Sequence, residues 1–576
     1  MTYLFKLADR AASTPFGTLT GHFVRGLFAS ENQQGESTLG LGLGMVLAVL
    51  ASPGAFASIF LLEKYSTLMQ FLRGHFIDPI SASPSDEYFF IVLSMTITGL
   101  VMAMRWNRLI PDRRDFSNLA VLPIPIRNIF LANFTALLGL AFLFGLDVNG
   151  VSAVLFPLFV TLSIGTTGAF FRVAVSHFTS VFAASLFSFF GVFALAGLTM
   201  LLAPRRLLKP VSIALRVLLV VVLLTEFFSN LFLAFFAGRV PVRAASYVGL
   251  LPSFWFLGLY ERMLGIAKPE LAAMGLHGLY ALACLAGVAI AAYSLCYRRH
   301  FLRLSESLDL IGAERWTRRV QVPEFLARIL FRSAFERACS SFACKVLTRS
   351  EPHLMFLGAY LGIGLVLVAQ AAMDASAAAQ SARPEAPWLA VPLMIAFFLL
   401  SGLRFVFDMP ATLDANWAFR VSIEDPYPEP RAVGRRIMRI SVLPWQFAVL
   451  APLTAQQFGW RIAVLHTGTV IALSLLLIDI LLRRFRKIPF TCNAQRDIKQ
   501  LLGRILGSVL SVLVAVPLLA SIEGWMLTEP LRFSLLGLLL ACSWWVLGKQ
   551  RKEMLPFERA LTFEDRPEPQ FELLKL

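Results

Sequence analysis

Charge is scarce in this sequence. Of its 576 residues only 15% are Asp, Glu, Lys or Arg, and 57% are hydrophobic. An average soluble domain is about 25% charged and about 45–50% apolar. Catalytic signatures are missing as well. There is no G-x-x-x-x-G-K-[ST] loop to cradle phosphates, no H-E-x-x-H, no C-x-x-C and no G-x-S-x-G elbow. The seven His are scattered, so nothing gathers into a membrane-embedded transferase or protease site. Cysteines number six: Cys284, Cys296, Cys339, Cys344, Cys492 and Cys542. Only Cys339 and Cys344 approach metal-ligand spacing, and no second pair accompanies them, so free thiols are expected, with no disulfide framework and no metal. The short alternating segments of a membrane β-barrel are absent too.

Long apolar runs are abundant. A large soluble core could absorb much apolar surface, but runs of 18 or more residues match the roughly 20 that cross hydrocarbon. They are continuous and rich in Leu, Ala, Gly and Phe, with 51 Phe in the chain, and in lipid the backbone satisfies itself in helices. The expected fold class is therefore an all-α polytopic membrane protein of about twelve transmembrane helices in two six-helix repeats. The first repeat has spans near 39–62, 88–104, 129–146, 178–203, 212–236 and 271–296. The second has 353–373, 388–405, 442–458, 462–482, 501–522 and 533–547. Residues 151–171 read as a re-entrant or interfacial element, because a full crossing would place the basic cluster Arg205, Arg206 and Lys209 outside.

The net charge of +16 would suggest nucleic acid in a soluble protein. Here the basic residues flank the apolar runs, which is the positive-inside pattern of membrane topology. It puts both termini in the cytoplasm. The expected organisation is a cytoplasmic or interfacial segment 1–38, a first bundle 39–297, a linker 298–352 with eleven Lys or Arg, a second bundle 353–548 and a tail 549–576. Residues 1–35 lack the compact apolar core of a signal peptide. Their Phe16, Leu19, Phe23 and Leu27 instead suit one face of an interfacial helix.

Two inside segments stand in equivalent places. After span two the chain reads R-W-N-R-L-I-P-D-R-R-D-F-S-N-L-A-V-L-P-I-P (105–125); after span eight it reads R-F-V-F-D-M-P-A-T-L-D-A-N-W-A-F (404–419). Pro in a first turn and acids beside it favour a helix start, so Pro111 to Asp115 predicts a short amphipathic helix lying at the membrane face. Such a helix either docks into a cytoplasmic partner or serves only as a basic topology loop. The pattern W-x-x-L-x-P-D-R-R-D-F-x-x-L-x-x-L-P-I, with L-P-S-F-W-F-L-G-L-Y-E (251–261), G-L-R-F-V-F-D-M-P-A-T-L-D-A-N-W-A-F (402–419), K-I-P-F-T-C (487–492) and F-E-D (563–565), resembles the membrane subunits of bacterial type 2 ABC exporters. The resemblance implies two six-helix permease units fused in one chain in the bacterial inner membrane. It implies partners too: cytoplasmic ATP-binding subunits, two copies, which carry ATP and Mg while this chain holds no cofactor and catalyses nothing. It places coupling at Pro111, Asp112, Arg113, Arg114 and Asp115, and at Pro410, Asp414, Asn416 and Trp417.

A secondary, ion-gradient-driven transporter of two six-helix halves fits the span count equally. Against it, the loop after span two has Pro111 and no flanking Gly, and no matched pair of buried acids stands out. Glu226, deep in span five, is a candidate for a substrate route or a helix–helix hydrogen bond. Pro489 breaks the helix entering 487–495, which is either a turn near a substrate path or an ordinary inside turn. Asp479 and Arg483 are spaced for an i,i+4 pair. Residues 253–256, S-F-W-F, suit an outside aromatic anchor in preference to a substrate gate.

Overall fold

The computed structural model describes residues 14–28, 36–74, 76–106, 109, 124–232, 248–266, 269–304, 333–377, 384–411, 416–422, 430–483, 485, 487–491 and 498–554. Helices account for nearly all of these, and no strand occurs among them. The chain forms two compact units, Met1–Gly312 and Ala313–Leu576.

The first unit contains α1 (Pro15–Phe28), α2 (Glu36–Tyr65), α3 (Thr67–Arg73), α4 (Pro79–Met104), α5 (Ile126–Gly150), α6 (Ser152–Thr161), α7 (Thr167–Leu202), α8 (Arg205–Phe232), α9 (Pro252–Leu264) and α10 (Pro269–Leu304). The second contains α11 (Ala334–Arg349), α12 (Glu351–Ala377), α13 (Ala386–Val406), α14 (Asn416–Ser422), α15 (Pro430–Trp445), α16 (Ala451–Phe458), α17 (Trp460–Leu481), α18 (Ile498–Thr528) and α19 (Phe533–Met554). Eleven helices among the described residues are long and apolar enough to cross a membrane. The 30-residue α2 extends about 45 Å at 1.5 Å per residue, also beyond the roughly 30 Å of hydrocarbon. The protein is a multi-pass helical membrane protein.

Helix ends follow local chemistry. Pro79 occupies the first turn of α4 and Asp78 Oδ1 accepts from the Ile80 amide, a side-chain cap. Ser333 accepts from the Glu336 amide at 3.0 Å, a side-chain cap, with the acid in the first turn of α11 where it complements the helix dipole. Gly265 ends α9 at φ 69°, a left-handed cap that glycine adopts without penalty. Pro444 lies two residues before a π-helical stretch, Gln446–Leu450, which joins α15 to α16. Such a bulge shifts the register of the following turns.

Three local expectations change. Residues 151–171 are not one element: α6 continues from α5 for ten residues, and α7 begins at Thr167. Ten residues cover only about 15 Å, so α6 does not cross independently. The S-F-W-F segment is not merely a surface anchor. It lies in α9, whose Ser253, Phe254, Phe256 and Tyr260 are buried in a core shared with Tyr88, Phe90, Phe156 and Val181. Asp479 pairs with Arg435 of α15 at 3.1 Å, across helices rather than along α17. On α1, Leu19 and Phe23 are buried with Trp106 and Ile129, giving the amphipathic segment an apolar floor within the first unit.

α9 approaches α10 closely because Gly275 has no side chain. A Cβ there would stand 2.8 Å from the Leu259 nitrogen and 2.9 Å from the Gly258 carbonyl carbon. Backbone cannot yield as a side-chain tip can, so Gly275→Ala is expected to destabilise the protein by about 1–3 kcal/mol. Gly287→Ala on the same helix, where nothing lies within 4 Å, serves as the control. Equal thermal unfolding midpoints for the two variants would refute the close-packing argument.

Candidate functional site

Two segments distant in sequence meet in the second unit. α13 ends at Val406, and the chain leaves it through Phe407, Asp408 and Met409. α17 ends at Leu481, and residues 487–491 form a buried turn. The backbones exchange two hydrogen bonds: the Phe490 amide donates to Phe407 O at 3.2 Å, and the Ala411 amide to Phe490 O at 2.9 Å. Phe490 adopts φ 71°, a conformation most side chains avoid. The surrounding structure holds it there. Its ring is buried against Phe407 and His353, with centroids 5.6 and 5.3 Å away.

Asp408 is the electrostatic centre of this junction. Its buried carboxylate lies 2.6 Å from Arg404 Nη1 and 2.8 Å from Lys487 Nζ, with the exposed Arg504 at 3.8 Å. Arg404 Nη1 and Asp408 Oδ1 have poor hydrogen-bond angles despite their proximity, so attraction there is mainly coulombic. Lys487 is itself 7% exposed at its side chain. A buried cation of that kind requires a partner charge. Asn416 Nδ2 donates to Thr491 O at 2.7 Å, tying the start of α14 to the turn. His353 Nε2 lies 3.1 Å from Met409 O, bracing the opposite side.

α14 carries two unusual residues. Trp417 and Val421 are 68% and 77% exposed. They are four positions apart and therefore share a helix face. The buried ion cluster and the Asn416 tether thus hold a short helix that presents an apolar face outward.

The singled-out residues fall into three groups. Pro410, Asn416, Trp417 and Pro489 belong to the junction, with Pro489 buried inside the turn. Pro111, Asp112, Arg113, Arg114, Asp115 and Asp414 lie outside the described residues. In the first unit, Trp106 is buried beneath the Arg216 guanidinium, 5.8 Å from the ring centroid, and Asn133 donates to Leu109 O at 3.4 Å. Glu226 of α8 interacts with the Ser253 hydroxyl, and the Ser253 and Tyr88 hydroxyl oxygens lie 3.2 Å apart. Glu226 therefore links α8 to α9 and α4.

Sequence reasoning overlooked two buried pairs. In the first unit, Glu87 Oε2 and His177 Nδ1 are 2.5 Å apart, both fully buried, and Ser152 Oγ is 3.3 Å from the other ring nitrogen. In the second, Glu523 Oε1 and His466 Nδ1 are 2.8 Å apart, with the Trp388 ring beside the imidazole. One oxygen of each carboxyl, Glu87 Oε1 and Glu523 Oε2, is buried with no hydrogen-bond partner. The available signal was an acid or His just beyond the edge of an apolar run for Glu87, His177 and Glu523, and a lone His within one for His466.

Cys339 and Cys344 share α11. Burial pushes the Cys339 thiol up to about 12, which disfavours the thiolate that ligates metal. Among the described residues no group of three or more His, Cys, Asp or Glu is placed to hold a metal ion. Comparison with protein-family models, curated proteins and solved structures finds no match to this chain.

Proposed function

We propose that this chain is the membrane-spanning component of an ATP-driven exporter in a bacterial inner membrane, with both termini cytoplasmic. ATP and Mg bind to separate cytoplasmic subunits, two copies, and the chain itself is not an enzyme. The observation carrying this reading is α14: an apolar helix face held outward on a buried, charge-locked mount. A partner groove that receives Trp417 and Val421 would transmit motion to α13 and α17 through Asp408 and Phe490.

Retrieval of the tagged chain from its native membrane in mild detergent, with mass spectrometry and an ATPase assay, tests the proposal. A stoichiometric ATP-binding subunit is expected. Trp417→Ala should weaken its binding by at least about 30-fold, the loss of a central aromatic anchor, while leaving the unfolding midpoint unchanged. Undiminished binding by that variant would remove α14 from the interface.

The buried Glu–His pairs favour a second reading, a proton-driven secondary transporter. Intramembrane ionisable pairs mark proton relays in many pumps. A clean preparation without ATPase activity, combined with uptake driven by a proton gradient, would replace the exporter by this alternative.

A further inference from the structure

A cavity of about 230 Å³ opens in the second unit where α15, α17 and α19 converge. Its wall includes Arg431, Arg435 and Arg439, four positions apart on α15, and Arg483 just beyond α17. Asp479 is the one acid among its lining residues, and it is already engaged by Arg435 at 3.1 Å. Four cations against one carboxylate leave a net charge of +3 around the cavity. Topology charges ordinarily snorkel separately into water or headgroups. Here they gather from two helices on one concavity, and the Nε of Arg439 is buried with no hydrogen-bond partner.

We propose that this cavity binds the phosphate-bearing headgroup of an anionic lipid. Guanidinium groups match phosphate oxygens in bidentate geometry. Basic pockets between transmembrane helices on the cytoplasmic side suit such headgroups, and the Arg-rich ends of these helices are the expected cytoplasmic ends. The cavity is smaller than the roughly 300–1,000 Å³ of drug-sized sites, so it admits a headgroup and excludes acyl chains. Trp544 and Leu547 form its apolar side, against which the first carbons of a lipid tail rest as they leave the basic pocket. The assignment is independent of how transport is powered.

Thermal unfolding of the purified full chain in detergent tests this with three added probes: dioleoyl phosphatidylglycerol, dioleoyl phosphatidylcholine and inorganic phosphate. Phosphatidylglycerol is expected to raise the midpoint at concentrations where the other two do not. Arg439→Ala with Arg483→Ala should weaken that response roughly 30-fold, at about 1 kcal/mol per basic residue near a lipid surface. Lysine at both positions keeps the charge and should retain most of the response. Should the alanine pair fail to fold, Trp544→Ala provides a second variant, expected to weaken the lipid response by removing the apolar wall. An equal response to phosphatidylcholine overturns the proposal, as does a full response in folded alanine variants. A phosphate response matching that of phosphatidylglycerol would assign the cavity to a soluble phosphate and overturn the lipid.

Discussion

Asp408→Ala is expected to destabilise the second unit by about 3–5 kcal/mol, because removing one partner of a buried ion cluster strands the others. Lys487 and Arg404 would face each other without the carboxylate that now lies 2.8 and 2.6 Å from them. Arg504 adds little to this figure, since its side chain is 50% exposed and 3.8 Å away and solvent screens it. The loss should appear as a lower thermal unfolding midpoint in detergent. Asp408→Asn preserves shape and removes only charge, so it should reproduce most of the loss. Adding Lys487→Met should recover part of it, because the stranded cation is gone; neighbours in one network are non-additive in this way. Strictly additive losses in that double variant would show that Asp408 and Lys487 are not energetically coupled. In the exporter reading, Asp408→Asn should also separate ATPase activity from transport, because the mount under α14 loosens while Trp417 still docks.

Much of this architecture is legible in the sequence because lipid imposes a simple rule. A continuous apolar run of the right length becomes a helix whatever its neighbours do, and the eleven candidate spans arise in that way. What escaped lies where the rule is silent. α9 has thirteen residues, about 20 Å of helix, which is too short to register as a span. Its Phe254 and Phe256 look like interface aromatics until the contacts with α4 and α7 are known. Glu87 falls just before the run at 88–104 and His177 just before the run at 178–203. Each falls inside a longer helix, where only a partner from another segment makes it tolerable. The junction was half legible: 404–419 and 487–492 each stood out by residue type, but the Asn416–Thr491 bond spans 75 positions, and no local pattern encodes that contact. Asp479 makes the same point in reverse. Its spacing from Arg483 suited a pair along one helix, and the fold supplied Arg435 from another.

The Glu87–His177 pair should be the most sensitive polar contact in the first unit. Both side chains are fully buried at 2.5 Å separation, and the remaining Glu87 oxygen has no hydrogen-bond partner. His177→Ala therefore leaves a carboxyl in an apolar core with less compensation than it already has, and opens a cavity beside Phe90 and Phe156, whose ring centroids lie 5.3 and 4.8 Å from the imidazole. A loss of about 3–5 kcal/mol is expected from the broken pair, visible as reduced folded yield and a lower unfolding midpoint. Glu87→Gln with His177→Gln replaces the pair by two neutral amides able to bond each other. It should restore stability beyond the sum of the single changes, with a coupling of about 0.5–3 kcal/mol. No restoration would mean that the side chains pack side by side without sharing a hydrogen bond of consequence. The same double variant separates the two functional readings. If the pair only fastens α4 to α7, the folded double variant transports normally under ATP. If it carries a proton through the first unit, transport is lost although the fold survives, because two amides cannot pick up and release a proton as a carboxyl and an imidazole can.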